Sequence, residues 1–189
     1  TITGVNTVTS TGAGGINAST NGGIITVSTT STVTGGVGNG ITTTNTTGKT
    51  SITTAGLVTG GKGDGIKSNS TTGPITVALG TGGATGSANG ITLGSSSGNL
   101  LITGTGPINA TTGVGISTTT GGLATTDILV GSAINAASMG INAFTSGTGL
   151  ITISGTGPVV STGSYGIAAG STGGNIVIAP ASTDRKSVV

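Results

Sequence analysis

The dipeptide Gly-Ile returns along this chain at an almost constant interval. Seven of these pairs share one register, and their successive isoleucines are 25, 25, 25, 25, 25 and 26 residues apart. The pairs in this register are Gly15-Ile16, Gly40-Ile41, Gly65-Ile66, Gly90-Ile91, Gly115-Ile116, Gly140-Ile141 and Gly166-Ile167. A fixed period of this length is the sequence signature of repeat architectures, in which each unit packs on the next. The repeat therefore constrains the fold more than any other feature of the chain.

Each unit contains three short segments with β-strand character, separated by Gly, Asn, Ser and Thr. The first segment begins at the Ile of the pair. The second alternates apolar and polar residues, which places Ile25 and Val27 on one face and Thr26 on the other. The third is weaker, and its predicted apolar positions are Val33, Val58, Ile108 and Val160.

A strand of four or five residues cannot bury its apolar face alone, but stacked units bury equivalent residues as aliphatic ladders. The pattern therefore predicts an all-β parallel β-helix (β-solenoid) over residues 1–183. It would have three short strands per coil, a 25-residue repeat and about seven coils. The density of Gly and Thr argues against helices. We expect the Gly before each Ile to supply a corner with positive φ.

The second strand needs a change of register in the fifth full unit. Its predicted inward residue lies eleven positions after the repeat Ile, at Val27, Ile52, Val77 and Ile102. The same step from Ile116 arrives at Asp127, and an unpaired carboxylate in a dry aliphatic ladder would cost several kcal/mol. We therefore predict one extra residue in that turn, with Ile128 inward and Asp127 outward. Ile153, twelve positions after Ile141, predicts the same shift in the next coil.

Composition excludes several classes of protein and partner. The chain of 189 residues has one Phe, one Tyr and no Trp, so a conventional aromatic core is excluded. The net charge of +2 is too small to recruit nucleic acid or an anionic membrane. The absence of Cys excludes disulfides and thiolate metal sites. The apolar runs are far shorter than the ~20 residues of a membrane helix, so we expect no membrane insertion of this segment.

The repeat style resembles that of a known class of proteins. Segments such as "STGGNIVIA", "TGTGPINATTGVGI" and "SGTGPVVSTGSYGI" are similar to the passenger domains of bacterial autotransporters and related β-strand-repeat surface adhesins. Those proteins are right-handed parallel β-helices on the outer surface of Gram-negative bacteria. The resemblance covers nearly the whole chain and contains no catalytic motif. The family's signal segment and membrane barrel are not among these residues, so we expect an internal fragment.

The resemblance implies a non-catalytic function. The chain would be a structural stalk or adhesive passenger segment of a large surface-exposed or secreted bacterial protein. Its localisation would be extracellular, at the bacterial cell surface. Its partner would be an unidentified host or bacterial surface ligand.

Charged residues offer little material for an active site. The chain has no His and no Glu, and its two carboxylates outside the C-terminal tail, Asp64 and Asp127, occupy different repeat positions. We therefore predict no catalytic residue, no cofactor site and no metal site. The segment "GGKGDG", residues 60–65, is similar to the Gly-Asp turns that bind calcium in repeat toxins. Because Asp64 follows Gly63 directly and other units lack the pattern, we expect a solvated loop there.

Two alternative functions remain open from the sequence. The first is an ice-binding solenoid, because Thr-x-Thr pairs such as Thr32-Val33-Thr34 recur. A flat ice face needs the same pair in each coil, and Ala78 and Leu101 interrupt the predicted outward positions of the second strand. The second alternative is a fragment of a carbohydrate-active β-helix protein.

The last six residues, "DRKSVV" at 184–189, depart from the repeat. They can be back-translated into a sequence that resembles a common sequencing adapter, and we interpret them as an assembly artefact. The alternative is an ordinary charged tail. We expect these residues to pack on nothing. We also expect Ile178 and its neighbours to form an open edge, with end-to-end or edge association between chains.

Overall fold

A computed structural model describes residues 1–155 and 157–179 of the protein. The expectations for the tail, and the end of the predicted solenoid at residues 180–183, lie outside the described residues. Two strands precede the first Gly-Ile pair: β1 (Ile2–Val5) and β2 (Val8–Ser10). The coil from residue 16 to 40 contains β3 (Ile16–Thr20), β4 (Ile25–Thr29) and β5 (Val33–Gly35).

The following coils repeat this order. The next two contain β6 (Ile41–Asn45), β7 (Thr50–Thr54), β8 (Val58–Gly60), β9 (Ile66–Ser70), β10 (Ile75–Leu79) and β11 (Ala84–Gly86). Two more contain β12 (Ile91–Ser95), β13 (Leu100–Gly104), β14 (Ile108–Ala110), β15 (Ile116–Thr120), β16 (Thr126–Val130) and β17 (Ile134–Ala136). The last described strands are β18 (Ile141–Thr145), β19 (Ile151–Ser154), β20 (Val159–Ser161), β21 (Ile167–Ser171) and β22 (Ile176–Ala179).

Strands at the same position in successive coils pair in parallel and build three sheets. Sheet 1 has the order β3-β6-β9-β12-β15-β18-β21, and each of its strands begins at a repeat Ile. Sheet 2 has the order β1-β4-β7-β10-β13-β16-β19-β22, and sheet 3 the order β2-β5-β8-β11-β14-β17-β20. The chain is therefore a parallel β-solenoid with three strands per coil and roughly seven coils, as the repeat predicts. Within the described part of the chain, no helix is long and apolar enough to span a membrane.

The core is a set of aliphatic columns that run along the solenoid axis. In sheet 1 the repeat isoleucines stack directly, as in the pairing of Ile41 with Ile66 and of Ile91 with Ile116. The columns of sheets 2 and 3 consist mainly of Ile and Val, and nearly all of their members are buried. Because a coil buries only a few aliphatic side chains, its stability depends on the coils above and below it.

The predicted change of register in sheet 2 is confirmed. Ile128 is fully buried and pairs with Ile102, whereas Asp127 lies on the outward side of the same strand. Ile153 pairs with Ile128, so the next coil keeps the shifted position. The turn before this strand is one residue longer, which lets the strand place its apolar residue inward. Burial of a carboxylate without a partner would cost more free energy than the longer turn.

The nearly constant period conceals this insertion. In the coil that begins at Ile116, the step from the third strand at Ile134 to Ile141 is seven residues, and the total stays 25. The coil that begins at Ile141 has the same longer turn without that shortening, so its length is 26. Gly122, in the lengthened turn of the first of these coils, has a φ of 62°, a conformation that Gly adopts without steric penalty.

The prediction of positive φ at the Gly before each Ile is wrong. None of these glycines has a positive φ. Their requirement is space: from Gly15 to Gly115, an added Cβ would lie 2.5–2.7 Å from the carbonyl oxygen of the equivalent Gly in the next coil. The same carbonyl accepts a hydrogen bond from the Ile that follows the first Gly: Ile16 N donates to Gly40 O at 2.9 Å. The close approach therefore results from the ladder itself.

The predicted inward position Val160 is also wrong by one residue. Val159 pairs with Ile134 and is buried, while Val160 is exposed. The other three predicted positions of the third strand, Val33, Val58 and Ile108, are buried. In "VVS" both valines are equally apolar, so the pairing with the preceding coil, and not the local pattern, selects Val159 for the core.

Candidate functional site

The carboxylate at Asp64 belongs to a corner ladder, and the expectation of a solvated loop is wrong. Asp64 is only 6% exposed. Its backbone N–H donates to Asn39 Oδ1 at 2.8 Å, and its Oδ1 accepts from both the backbone N–H and the Nδ2 of Asn89 at 3.0 Å. Asn89 Oδ1 in turn accepts from the backbone N–H of Val114 at 2.8 Å. These side chains join four successive coils at the corner before sheet 1.

The side-chain oxygens of this ladder satisfy backbone donors that the turn leaves without a partner on the strands. The amide of Asn39 also donates to Thr42 at 3.0 Å, and that of Asn89 to Thr92 at 3.2 Å, at the start of the following strand. Asp64 accepts the donors of the next coil as an Asn would, and its side chain lies along the backbone of the corner. Its role in the described structure is therefore explained by hydrogen bonding within the fold.

Replacing Asp64 by Ala should lower the free energy of unfolding by about 1–3 kcal/mol, because two donors of Asn89 lose their acceptor in a buried corner. Replacing Asp64 by Asn should leave stability close to that of the wild type, because the side-chain carbonyl accepts in the same place. Urea unfolding monitored by circular dichroism measures both. Equal losses for the two variants would contradict the ladder interpretation.

Asp127 lies on a different face of the solenoid from Asp64. It points outward from sheet 2, whereas Asp64 precedes sheet 1 and lies more than two coils away. At ~4.8 Å per coil, the two carboxyl groups are separated by about 10 Å or more along the axis alone. This exceeds the ~5–9.5 Å between the paired carboxylates of glycosidases. No group of three or more His, Cys, Asp or Glu comes together in the residues that the structure describes.

Threonines are common on the outward faces, but their ladders are short. On sheet 3, Thr9, Thr34, Thr59 and Thr85 form an unbroken outward column. Asn109 and Asn135 continue it, and Asn109 Nδ2 donates to Thr85 at 3.3 Å. Each coil contributes two outward residues to sheet 2, which form two columns along the axis. Residues other than Ser and Thr interrupt both columns, at Ala78, Leu101, Asp127 and Leu129. The structure therefore provides one regular column of Thr and no regular pair of columns over the described coils.

The two aromatic residues of the chain meet at a shallow pocket on the outside of sheet 1. Phe144 points outward from β18, and Tyr165 occupies the corner position that Asn39, Asp64 and Asn89 occupy in earlier coils. The pocket has a volume of about 270 Å³ and is lined by Phe144, Tyr165, Asn142, Ala168, Ala169 and Gly170. Sequence analysis did not bring these residues together, although the corner periodicity and the outward position of Phe144 were available as signals.

Small residues of the next coil make room for the phenyl ring. Phe144 pairs with Gly170, and a Cβ added to Gly170 would lie 3.2 Å from Phe144 Cδ2. Asn142 pairs with Ala168 on the same outward face. The lining contains no charged side chain. The pocket therefore combines two aromatic rings, one carboxamide and one phenol hydroxyl over a base of small residues.

Comparison with family models, with curated proteins and with solved structures found no match to this chain.

Proposed function

We propose that this chain is a structural stalk or adhesive passenger segment of a large bacterial protein that is surface-exposed or secreted, and that it is not an enzyme. The observation that supports this most is the uninterrupted pairing of each sheet from coil to coil over the described residues. About seven coils at ~4.8 Å each form a rod roughly 35 Å long. A rod of stacked coils is suited to projection from a surface.

Surface display can be tested with an antibody raised against the folded chain. We expect it to label intact bacteria that carry the gene, because the proposed location is outside the cell. An antibody against a cytoplasmic protein of the same cells is the matched control and should label only lysed cells. Labelling by both antibodies only after lysis would contradict the proposal.

The non-catalytic part of the proposal has its own test. We expect the purified chain to release no reducing ends from polysaccharides, because its two described carboxylates lie on different faces and in different coils. Detection of hydrolysis that disappears in the double variant Asp64→Asn, Asp127→Asn would instead support the carbohydrate-active alternative.

Ice binding is a second candidate because of the outward Thr column on sheet 3. That column spans Thr9, Thr34, Thr59 and Thr85. A flat ice face requires paired columns, and the neighbouring sheet 2 has apolar and charged residues at those positions. Measurement of thermal hysteresis separates the two functions: the stalk or adhesive function predicts none.

A further inference from the structure

The aromatic residues of this chain are placed outside the core. The sequence contains one Phe, one Tyr and no Trp, and the core is built from Ile, Val, Leu and Ala. Phe144 is 42% exposed and Tyr165 is 46% exposed. Neither ring enters the core, and both line one pocket on the outer surface of the solenoid.

The fold holds the two rings in defined positions. Phe144 lies on a strand whose neighbours on both sides are paired in register, with Thr119 in the preceding coil and Gly170 in the following one. The backbone carbonyl of Tyr165 accepts a hydrogen bond from Gly140 N at 3.1 Å, which fixes the corner from which the phenol ring projects. Ligand binding to such a site costs little backbone ordering, because the strands are already in place.

The lining selects a neutral ligand that has both an apolar and a polar side. Without a charged group in the pocket, an anion or a cation would lose hydration and gain no ion pair. Aromatic rings pack against apolar C–H surfaces, while the Asn142 carboxamide and the Tyr165 hydroxyl donate and accept hydrogen bonds. A pyranose ring has this combination, with C–H groups on its faces and hydroxyl groups at its edge.

We propose that the pocket between Phe144 and Tyr165 binds a neutral sugar ring, with Asn142 hydrogen-bonded to its hydroxyl groups. The volume of about 270 Å³ is smaller than the ~300–1,000 Å³ of sites for drug-sized ligands, so the pocket admits a single ring. This inference names a ligand class for the proposed adhesive function. The binding itself requires only the folded chain, so it can be tested independently of where the chain is displayed.

Tyrosine fluorescence provides a probe specific to this pocket, because Tyr165 is the one Tyr of the chain and no Trp is present. We expect saturable changes in emission on titration with one or more of glucose, galactose, mannose and N-acetylglucosamine. The dissociation constant should be on the order of 1 mM, as for a ligand held by few contacts. Saturation-transfer NMR should show the ring C–H protons of the bound sugar closest to the protein.

Phe144→Ala and Phe144→Leu should each weaken binding at least about tenfold, because both remove the aromatic face. Phe144→Leu keeps an apolar side chain over Gly170 and protects the fold. Leu129→Ala, at an exposed apolar residue on sheet 2, is the matched control and should leave binding unchanged. All three variants should keep the thermal midpoint of the wild type, because Phe144 is 42% and Leu129 43% exposed.

The proposal is overturned if none of the four sugars changes the emission or gives saturation transfer. It is also overturned if binding persists unchanged in both Phe144 variants. Preferential binding of choline with the same dependence on Phe144 would instead identify an ammonium site held by cation–π contacts. Sugar binding by a chain that is not displayed on cells would support the pocket and contradict only the proposed function.

Discussion

Ile128→Asp should destabilise the protein strongly, by about 4 kcal/mol or more, while Leu129→Asp should change stability by no more than about 0.5 kcal/mol. The two residues are neighbours on one strand, and alternation places them on opposite faces. Ile128 is fully buried between Ile102 and Ile153, whereas Leu129 is 43% exposed. The comparison therefore isolates burial, since strand, sheet and introduced residue are the same.

Urea unfolding of the two variants at neutral pH measures this difference. The deficit of Ile128→Asp should become smaller in acid, because burial raises the pKa of a carboxyl group and the protonated form costs less to bury. The penalty is therefore smallest below the pKa of the unfolded state, grows as the pH rises from there to the higher folded-state pKa, and is constant above it. Similar losses for Ile128→Asp and Leu129→Asp would show that the inward register of β16 is wrong.

Gly115→Ala should cost about 1–3 kcal/mol or more, although it adds a single methyl group. A Cβ on Gly115 would lie 2.5 Å from the carbonyl oxygen of Gly140 and even closer to the side chain of Ile134. Neither neighbour can yield, because the carbonyl accepts the N–H of Ile116 at 2.9 Å and Ile134 is a core residue. The coils would have to separate locally, which weakens the ladder.

Gly131→Ala is the matched control for this substitution. It lies in the coil that begins directly after Gly115, its φ is not positive, and its nearest contact for a new Cβ would be 3.7 Å, an ordinary distance. We expect it to leave the urea midpoint unchanged or to raise it slightly, because Ala restricts the unfolded chain more than Gly does. Equal destabilisation by both variants would mean that the regular occurrence of Gly before Ile reflects backbone freedom and not the close approach of the next coil's carbonyl.

The interval between Gly-Ile pairs predicts the solenoid and the buried column of repeat isoleucines, and the three apolar segments within each unit predict its three strands per coil. The cost of burying Asp127 is enough to predict the shift that places Ile128 in the core. Both follow from the sequence because they depend on equivalent residues being stacked on one another, and a repeat already specifies which residues are equivalent.

Several features depend on contacts between coils that the local pattern does not contain. Position 115 requires Gly because a carbonyl of the next coil lies too close for a Cβ. Val159 lies inward, and Val160 outward, because Val159 pairs with Ile134. Asp64 is buried because Asn89 supplies its hydrogen-bond donors. The pocket of Phe144 and Tyr165 is likewise assembled from residues of adjacent coils. Distances between backbones and between neighbouring side chains decide these features, so they appear only when the coils are stacked in three dimensions.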